Sequence, residues 1–569
     1  MKIRKLIIKN FRGINQLDWS LPVGDIFCLI GKGDSSKSTI LEAIRYTFFP
    51  QWNLSLNDSD FHQCNTGEPI FVEATIGDLT EDFCSLKKYG HWLRGWDATT
   101  LTLTDEPDDH LERVLTIRLT IEKDLEPKWI VVCDRNPEGA PFKLADRTKV
   151  SVGMIGAYSE RQLSWATGTA LSKLTDAQSL NELLTNVSRT ARSSLDADRP
   201  VTFKNFDDAA QVAQGVAKLL GIPVVDAYRA HLDLNSINLK VGGLSLHDGD
   251  IPLRQLGLGS RRMLLCGIQK KGLEVGHITL FDEIEFGLEP YRIARLIKHI
   301  REDKTGQYFL TTHSPTVLRE LTFKELHIVH NKAGVVQIIA ASDKCFEEHE
   351  VQGKIRSSAE AFLSKKVVVC EGATEVGFLR GLDDHRLSEG KDPFSYHGVS
   401  LLNVVGATKI KDMAKTFKSL CYTVAVLADG DAPKHFSDAD AADLAKLDIE
   451  IHVWSDKLSL EERAMMDLPW SSVQASVKFA CDELGFPTHD NVRSAFDEAL
   501  DTDIDKWVDS QKLRAAIGKA ANLSKWFKDM TRSNQWFKVI VPAFADANFQ
   551  KTDLAVKLNK LWAWAEKSA

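Results

Sequence analysis

The alternation of apolar and polar residues divides the chain into strand-rich and helix-rich stretches. The first twenty residues alternate as strands do, and the apolar run Ile26–Ile30 leads through a Gly/Ser loop into a helical pattern over Ser38–Phe49. Short apolar runs between polar turns predict the further strands of the first part. These are Ile70–Ile76, Leu101–Leu103, Leu115–Ile121, Trp129–Cys133, Ile237–Leu246, His277–Phe281, Tyr308–Thr312 and Leu326–His330.

The pattern changes again within and after this part. Over 158–222, Leu, Ala, Asn and Ser recur at helical spacing, which predicts a helical insertion. After a polar boundary segment and a helix at Ile355–Leu363, a second α/β pattern begins, and from about residue 457 the pattern is mostly helical. The strands predicted in this second part are Lys366–Cys370, Leu401–Val405, Val424–Ala428 and Glu450–Trp454.

Composition and charge narrow the class of protein. The chain has 569 residues, of which 43% are hydrophobic and 26% charged, as in globular proteins with several domains. No apolar run approaches the roughly 18 residues of a membrane span, and the start lacks the features of a signal peptide. Nine dispersed cysteines without a C-x-x-C pair fit reduced thiols. We therefore expect a cytoplasmic protein without membrane association. A net charge of −8 still permits a local basic groove.

A loop between the strand Ile26–Ile30 and the following helix has the context of a phosphate-binding loop. Backbone N–H groups at the helix start would hold phosphates, Lys37 would reach the β- and γ-phosphates, and the Ser38 hydroxyl would hold Mg²⁺. Ser36 departs from the pattern G-x-x-x-x-G-K-[ST], which leaves the rate of hydrolysis open. A polar loop before a helix is the alternative interpretation. The predicted binding residues here are Gly31, Gly33, Ser36, Lys37, Ser38 and Thr39.

Three later features favour a nucleotide site. The strand ending at Phe281 is followed by Asp282, which would hold Mg²⁺ through water, and by Glu283, which would polarise the attacking water. The segment Gln255–Arg262 lies about twenty residues upstream, and a later strand ends in His313. In this order, the elements resemble those of ABC-type ATPases, in particular the branch of structural-maintenance and recombination ATPases.

The ABC resemblance implies how the nucleotide is bound. In that family two heads sandwich two ATP molecules, so Gly259 and Ser260 of one subunit would contact the γ-phosphate held by Lys37 of the other. His313 would sense that phosphate. A homodimer or higher homo-oligomer through the ATPase heads is therefore expected. Gly257 stands where such signature loops often have Ser, so the contacting residue is left open. The insertion is too short for a structural-maintenance arm and is interpreted as a dimerisation or clamp element.

Carboxylates follow two strands of the second α/β part. Glu371 ends the first strand and Glu375 follows one helical turn later, while Asp429 and Asp431 end another strand. In a parallel sheet these positions lie at one edge, where such folds bind ligands. Converging carboxylates repel one another, and divalent cations relieve that repulsion. Mg²⁺ is expected, and Mn²⁺ would also fit an all-oxygen site. Unrelated helix-capping and turn acids are the alternative.

This pair of motifs resembles the Toprim domain of topoisomerases, DnaG-type primases and certain nucleases. The resemblance implies a metal or acid/base role for Glu371 and metal roles for Asp429 and Asp431. An ABC-type ATPase followed by a Toprim domain is the architecture of the OLD (overcoming lysogenisation defect) family of nucleases. That resemblance implies a further metal acid, for which we prefer Glu461 to Glu462.

The OLD resemblance also implies a basic residue near the C-terminus that stabilises the cleaved phosphate. Lys538 in Trp-Phe-Lys is preferred, and Lys528 in a second Trp-Phe-Lys is the alternative. The region 511–569 has eleven Lys/Arg and four Asp/Glu, with aromatic residues between them. Such a pattern favours a DNA-facing surface, on which the aromatic rings either stack on bases or fill the core of a helical cap.

The expected fold is α/β: an ABC-type ATPase head with a helical dimerisation insertion, followed by a Toprim domain and a helical C-terminal region. The resemblance implies an ATP-binding, divalent-metal-dependent DNA endonuclease in anti-phage defence, with a separately encoded helicase or reverse transcriptase as a further partner. A non-nucleolytic DNA clamp and a recombination ATPase that loads a partner are the alternatives. The predicted domains are 1–157 and 226–350 for the ATPase, 158–225 for the insertion, 360–510 for Toprim and 511–569 for the basic region.

Overall fold

The computed structural model describes residues 1–52, 54–150, 152–156, 186–187, 190, 208–214, 227–228, 246–271, 276–343, 348–431 and 434–567. Almost all of the predicted insertion 158–225 and of the predicted strand Ile237–Leu246 lies outside the described residues. The chain forms two compact units. The first comprises Met1–Leu6, Leu41–Asp58 and Thr66–Leu310, and the second comprises Ile7–Ile40, Ser59–Asn65 and Thr311–Ala569.

Strands form where the apolar runs predict them, within a few residues at each end. The strands are β1 (Lys2–Phe11), β2 (Ile14–Ser20), β3 (Ile26–Ile30), β4 (Ile70–Gly77), β5 (Arg94–Asp97), β6 (Thr102–Thr104), β7 (Glu112–Ile121), β8 (Pro127–Cys133), β9 (Asn136–Pro141), β10 (Val152–Ile155), β11 (His247–Asp248), β12 (Ile251–Pro252), β13 (Ile278–Phe281), β14 (Gln307–Thr311), β15 (Leu326–Lys332), β16 (Val335–Ala340), β17 (Lys366–Cys370), β18 (Val399–Asn403), β19 (Thr423–Ala428) and β20 (Glu450–Val453).

Helices occupy the stretches between the strands and most of the chain after β20. They are α1 (Lys37–Thr47), α2 (Glu81–Cys84), α3 (Leu144–Lys149), α4 (Leu258–Lys271), α5 (Pro290–Glu302), α6 (Pro315–Glu320), α7 (Glu348–Ser357), α8 (Ala373–Ser388), α9 (Ile410–Ser419), α10 (Asp438–Ala445), α11 (Leu460–Asp467), α12 (Trp470–Lys478), α13 (Thr488–Arg493), α14 (Gln511–Leu523), α15 (Met530–Ile540) and α16 (Asp553–Glu566).

The first unit contains a parallel ladder and an antiparallel one. Strands β10, β13 and β14 pair in parallel, and every residue of β13 is buried. The antiparallel ladder runs from β4 through β7 and β8 to β9. Helix α5 begins with Pro290 in its first turn, where the missing N–H leaves no intrahelical bond unmade. Its buried side chains Ile293, Leu296, Ile297 and Ile300 follow helical spacing, so α5 has one apolar face.

The second unit contains two further ladders. Strand β15 pairs in parallel with β3 and antiparallel with β16, which in turn pairs in parallel with β2. A separate four-stranded sheet has the order β18-β17-β19-β20, and all its strands are parallel. Cys370 at the end of β17 lies opposite Leu427 and Asn403 on the flanking strands. The register therefore brings the residues that follow these strands to one edge.

The C-terminal helices pack on this parallel sheet and share its hydrophobic core. A Cβ atom at Gly377 would lie 2.3 Å from the Met530 carbonyl oxygen, and one at Gly381 would lie 2.4 Å from the Phe537 Cβ. Two glycines one turn apart on α8 thus allow α15 to approach closely. The last helix is also fixed to the sheet, because the Lys366 ammonium at the start of β17 donates to the Trp564, Ala565 and Lys567 carbonyl oxygens.

The packing decides the role of the aromatic residues in the C-terminal region. Their side chains are buried in the shared core, and Phe544 is partly buried against it. The interpretation of these rings as a base-stacking surface is therefore wrong, and the helical cap filled by aromatic residues is correct. The buried rings are Trp526, Phe527, Trp536, Phe537, Phe549, Trp562 and Trp564.

Two expectations from composition can be compared with the structure. Among the described residues, no helix has the length and apolar character that crossing a membrane requires. The eight cysteines that the structure describes are free thiols, in agreement with the absence of C-x-x-C pairs.

Candidate metal and nucleotide sites

Five carboxylates converge at the carboxyl edge of the parallel sheet. The Glu371 Oε2 atom accepts a hydrogen bond of 3.1 Å from the Asp429 backbone N–H. Asp429 Oδ1 accepts one of 2.8 Å from the Leu460 N–H, at the start of α11. Two strand ends and a helix start are thereby joined around the acids. The group consists of Glu371, Glu375, Asp429, Asp431 and Glu461, and each of the other four raises the pKa of Asp429.

The electrostatics of these acids show the strain of placing them together. Burial raises the pKa of Asp429 well above its ordinary value, and the charges of the other four acids raise it further. Burial also raises the pKa of Glu375 to about 7, and the charges of Glu461 and Glu371 act in the same direction. A site that disfavours its own ionisation in this way favours an added cation.

Glu461 gives the strongest indication of a metal. Only 1% of the residue is exposed, and neither carboxylate oxygen has a hydrogen-bond partner. The neighbouring Glu462 instead accepts from the Ser459 N–H, while the Ser459 hydroxyl accepts from the Glu462 N–H. This capping box turns Glu462 to the helix start, so the structure supports Glu461 as the inward acid.

The oxygen donors fit a hard divalent cation. In the part of the chain that the structure describes, no three His, Cys, Asp or Glu side chains already surround one point at metal-binding distance. Mg²⁺ keeps several waters and binds through one or two carboxylates, so a looser ring of acids suits it. Glu371, Glu375, Asp429, Asp431 and Glu461 are the residues that would hold such ions.

The structure revises the choice between the two lysines. Burial raises the pKa of Glu371 and of Glu461, and the positive charge of Lys528 opposes this at both. The Lys538 ammonium lies 3.3 Å from Asp384 instead. Asp384 is nine residues beyond Glu375 on α8, which corresponds to about 13 Å along a helix. In this structure Lys538 is thus paired away from the acids, and we prefer Lys528 for the basic role.

Two residues near the acids were missed in the sequence. The Asn522 amide donates to Asp431 Oδ2 over 3.3 Å, although 91 residues separate them. His435 opposes the rise in the pKa of Glu371 that burial causes. No local motif marks Asn522, because only the packing of α14 brings it to the sheet edge. His435 lies four residues after Asp431, but a single His in a polar segment has no distinctive pattern.

The predicted phosphate loop connects β3 to α1 in the second unit. Its Lys37 ammonium donates to the carbonyl oxygens of Gly31 and Lys32 and to the Ser35 hydroxyl, at 2.8 to 3.2 Å. Ser38 is exposed, Thr39 is half-buried, and a Cβ at Gly33 would meet nothing within 4 Å. The loop is thus curled around the lysine, with open space on the side of Gly33.

The structure gives a physical reason for Ser36. This residue has φ +70°, in the region that ordinarily favours glycine. Its hydroxyl accepts a hydrogen bond of 2.8 Å from the Asn331 amide, which also donates to the Gly13 carbonyl over 2.8 Å. A Cβ at Gly13 would lie 2.6 Å from the Ser36 Oγ. Ser36 is therefore a bonded member of the loop rather than a simple substitute for glycine.

The residue before Asn331 connects the same strand to the parallel sheet. His330 Nε2 donates to the Leu420 carbonyl oxygen over 2.8 Å, in the turn that precedes β19. Of two consecutive residues near the end of β15, Asn331 thus binds the phosphate loop and His330 binds the acid-bearing domain. All of these groups belong to the second unit.

The other predicted nucleotide residues are divided between the units. Asp282 and Glu283 follow β13 in the first unit, where the buried Arg262 guanidinium donates to the Asp282 carbonyl oxygen over 2.9 Å. Gly259 and Ser260 open α4 in the same unit, and the Ser260 hydroxyl accepts from Arg292. Arg262 fixes the backbone after β13, a role that the sequence did not predict.

His313 follows β14 in the second unit and is exposed. A Cβ at Gly259 would lie 2.4 Å from the Gly287 carbonyl oxygen, so α4 begins in close contact with the loop after β13. The backbone of Glu283 has φ +48°. Glu283 therefore stands at a sharp turn directly after the strand.

Comparison with protein families distinguishes an ATPase part from a TOPRIM part of the chain. An AAA ATPase domain model matches residues 1–125, and the AAA domain model that takes in the AbiEii toxin of type IV toxin–antitoxin systems matches 161–319. The TOPRIM domain model of proteins like the overcoming lysogenization defect protein matches 362–431. This last match contains four of the five converging acids.

One curated relative and several solved structures are similar to the chain. Endonuclease GajA from Bacillus cereus (strain VD045) is 23% identical over 457 residues, which are 76% of this chain and 75% of that protein. An Smc head bound to the C-winged helix domain of ScpA is 15% identical, with a TM-score of 0.34 over 60% of this chain and 98% of that one. The SMC head domain from Thermotoga maritima is 15% identical, with a TM-score of 0.28 over 60% and 99%.

The acid cluster should make stability depend on pH and on metal. The folded-state pKa of Glu375 is raised from 4.5 to about 7, so without metal stability should fall as pH rises from about 4.5 to about 7 and then level off. The loss should be on the order of 3 kcal/mol. Mg²⁺ should oppose it, because the metal replaces protons. Urea unfolding followed by tryptophan fluorescence between pH 4 and 8, with and without Mg²⁺, would measure this.

The matched variant is Glu375→Gln, which removes the titrating group and should flatten the pH dependence in metal-free protein. If wild type and this variant lose stability equally as pH rises, the acids are not coupled as the structure indicates.

The Ser36 linkage should be visible in nucleotide affinity. Asn331→Ala should weaken ATP binding about fivefold, since one hydrogen bond contributes about 1 kcal/mol. In a Ser36→Gly background, the same substitution should have a smaller effect, because the hydroxyl is already absent and only the other bonds of Asn331, such as that to the Gly13 carbonyl oxygen, remain to be lost. Titration with a fluorescent ATP analogue gives the four affinities of this cycle.

Lys37→Ala is the control, because it removes the main charge for phosphate and should weaken binding in every background. Equal effects of Asn331→Ala with and without Ser36 would show that the asparagine does not act through this hydroxyl.

Proposed function

We propose that this chain, in which matches to ATPase domains precede a match to the TOPRIM domain of OLD-like proteins, is a divalent-metal-dependent DNA endonuclease. The observation that carries the proposal is the buried Glu461. Its two carboxylate oxygens have no hydrogen-bond partner, and it belongs to a group with four other acids. A protein keeps such a carboxylate when a cation binds it. The similarity to an endonuclease supports DNA as the substrate.

The acids and Lys528 have separate tasks in phosphodiester hydrolysis. Divalent ions, when bound, would supply activation of the attacking water and stabilisation of the leaving oxygen. Glu371, Glu375, Asp429, Asp431 and Glu461 would hold those ions. Lys528 brings a positive charge beside Glu371 and Glu461. A positioned ammonium there stabilises the transition state more than the ground state, because negative charge develops on the phosphate oxygens.

The ATPase part would bind ATP with Mg²⁺ and control or assist the nuclease. Lys37 and Ser38 would contact the phosphates and the metal, with Asp282 as a further metal contact and Glu283 as the residue that polarises water. Gly259, Ser260 and His313 would complete the site when two ATPase heads associate as a homodimer or larger homo-oligomer. The hydrogen bonds of His330 and Asn331 offer a path between the nucleotide loop and the Toprim domain.

The OLD resemblance supports the further proposal that this activity would serve anti-phage defence in the cytoplasm, with a helicase or reverse transcriptase as a separately encoded partner. A non-nucleolytic clamp would have no need to keep Glu461 buried and unpaired, so this alternative receives less support.

Asp431→Ala should abolish cleavage of plasmid DNA in Mg²⁺ or Mn²⁺ while preserving the fold. Asp431 is exposed and has only a weak hydrogen bond with Asn522, so its loss removes a metal ligand at little structural cost. Gel assays of nicking with and without ATP provide the measurement, and ATP binding should be unchanged. Asp438→Ala, an exposed acid at the start of α10, is the matched control and should cleave normally. Normal nicking by Asp431→Ala would refute the metal-site assignment.

Lys528→Ala should lower the single-turnover cleavage rate at saturating DNA by about 10²–10³, with little loss of DNA affinity. Lys538→Ala is the control with the same chemical change in the other Trp-Phe-Lys, and it should retain the rate because Lys538 pairs with Asp384. Rapid-quench kinetics combined with equilibrium DNA binding separate the two effects. A loss of the chemical step in Lys538→Ala alone would restore the choice made from the sequence.

A further inference from the structure

An exposed and strained valine lies directly after β18. Val405 is 72% exposed and has φ +61°. A β-branched residue is a genuine outlier in this left-handed region, because its Cβ crowds the backbone. Exposure of an apolar side chain is a second unfavourable feature of the same residue. Neither folding nor solubility explains a valine here, and residues in such conformations cluster at functional sites.

Hydrogen bonds on both sides hold Val405 in this conformation. Its N–H donates to Asn403 Oδ1 over 2.9 Å, and the Asn403 carbonyl oxygen accepts from the Lys354 ammonium. The N–H of Val404 donates to the Cys370 carbonyl oxygen over 3.0 Å, and that of Gly406 donates to the Glu371 carbonyl oxygen over 2.9 Å. The valine is therefore fixed beside Glu371, at the edge of the sheet that carries the acids.

We propose that Val405 is a substrate-binding residue of this site and packs against the sugar or base of a nucleotide next to the scissile phosphate. The proposal rests on the nuclease function proposed above and adds a contact with the nucleic acid. The acids at this edge can bind only cations and, through them, phosphate. An apolar side chain at the same edge is suited to the apolar faces of the sugar and base.

The surroundings of Val405 fit a nucleotide better than a protein partner. Val404 and Ala407 are buried, and Thr408 is the next exposed side chain of this loop. Tyr396, another exposed hydrophobic residue, precedes β18 and so lies at the amino ends of the parallel strands, the opposite edge. A single apolar side chain is far too small for a stable protein interface, whereas one such side chain can contact one nucleotide.

Val405→Asn and Val405→Gly separate a binding role from a purely structural one. Both residues tolerate the left-handed region, so both variants should unfold at a higher temperature than wild type. Both should also cleave DNA with a kcat/KM about tenfold lower, since loss of a small apolar contact has effects of this size. Val405→Ile should retain cleavage, because it keeps the apolar contact.

The matched control is Leu125→Asn, since Leu125 is another apolar residue with φ +61°, in the turn between β7 and β8. It should raise the unfolding temperature without changing cleavage. Wild-type cleavage rates in Val405→Asn and Val405→Gly would overturn the binding role alone. So would an altered oligomeric state, seen by light scattering, with unchanged cleavage. Absence of cleavage by the wild-type protein would instead overturn the proposed function, and this inference with it.

Discussion

Mutual repulsion among carboxylates at one sheet edge is the constraint on which the acid-bearing domain depends. Parallel pairing in register makes β17 and β19 end at the same edge of the sheet. The acids that follow these two strands therefore lie close together, independently of the rest of the sequence after them. The backbone N–H groups of Asp429 and Leu460 compensate part of the charge. The carboxylate oxygens of Glu461 have no hydrogen-bond partner, although the charge of Lys528 opposes the rise in its pKa, so a bound cation would complement its burial.

The C-terminal helices are the support for this edge. Gly377 and Gly381 let α15 lie close to α8, and the aromatic residues of the C-terminal region fill the gap between the sheet and the helices. Asn522 and Lys528 reach the acids from this helical layer. At least one basic residue of the region, Lys528, therefore acts on the acid site itself.

Strand ends and their acids could be predicted from the sequence, because a buried strand is a short apolar run and the polar residue that ends it must lie at the sheet edge. The choice of Glu461 was also accessible, since Ser459 and Glu462 have the spacing of a capping box. The choice between Lys528 and Lys538 was not, because both follow buried Trp-Phe pairs and only helix packing sets their directions.

The role of Ser36 was likewise hidden in the sequence, since Asn331 and Gly13 come to it from distant strands. A residue that departs from a motif can therefore be interpreted correctly only when the residues that it contacts are known. The pattern marks the loop, and the tertiary structure explains why this loop tolerates a hydroxyl where glycine is common.

The anchoring of Lys366 to the carbonyl oxygens of the last helix has a consequence for biosynthesis. On the ribosome, all five acids are synthesised before Lys528 and before the helices that cover them. The first strand of the sheet must wait for carbonyl groups made almost 200 residues later, at Trp564 and Ala565. From the synthesis of Glu371 onward, a nascent chain thus holds an unfinished acid edge, and the order of synthesis itself delays a complete acid site until the helical layer has emerged.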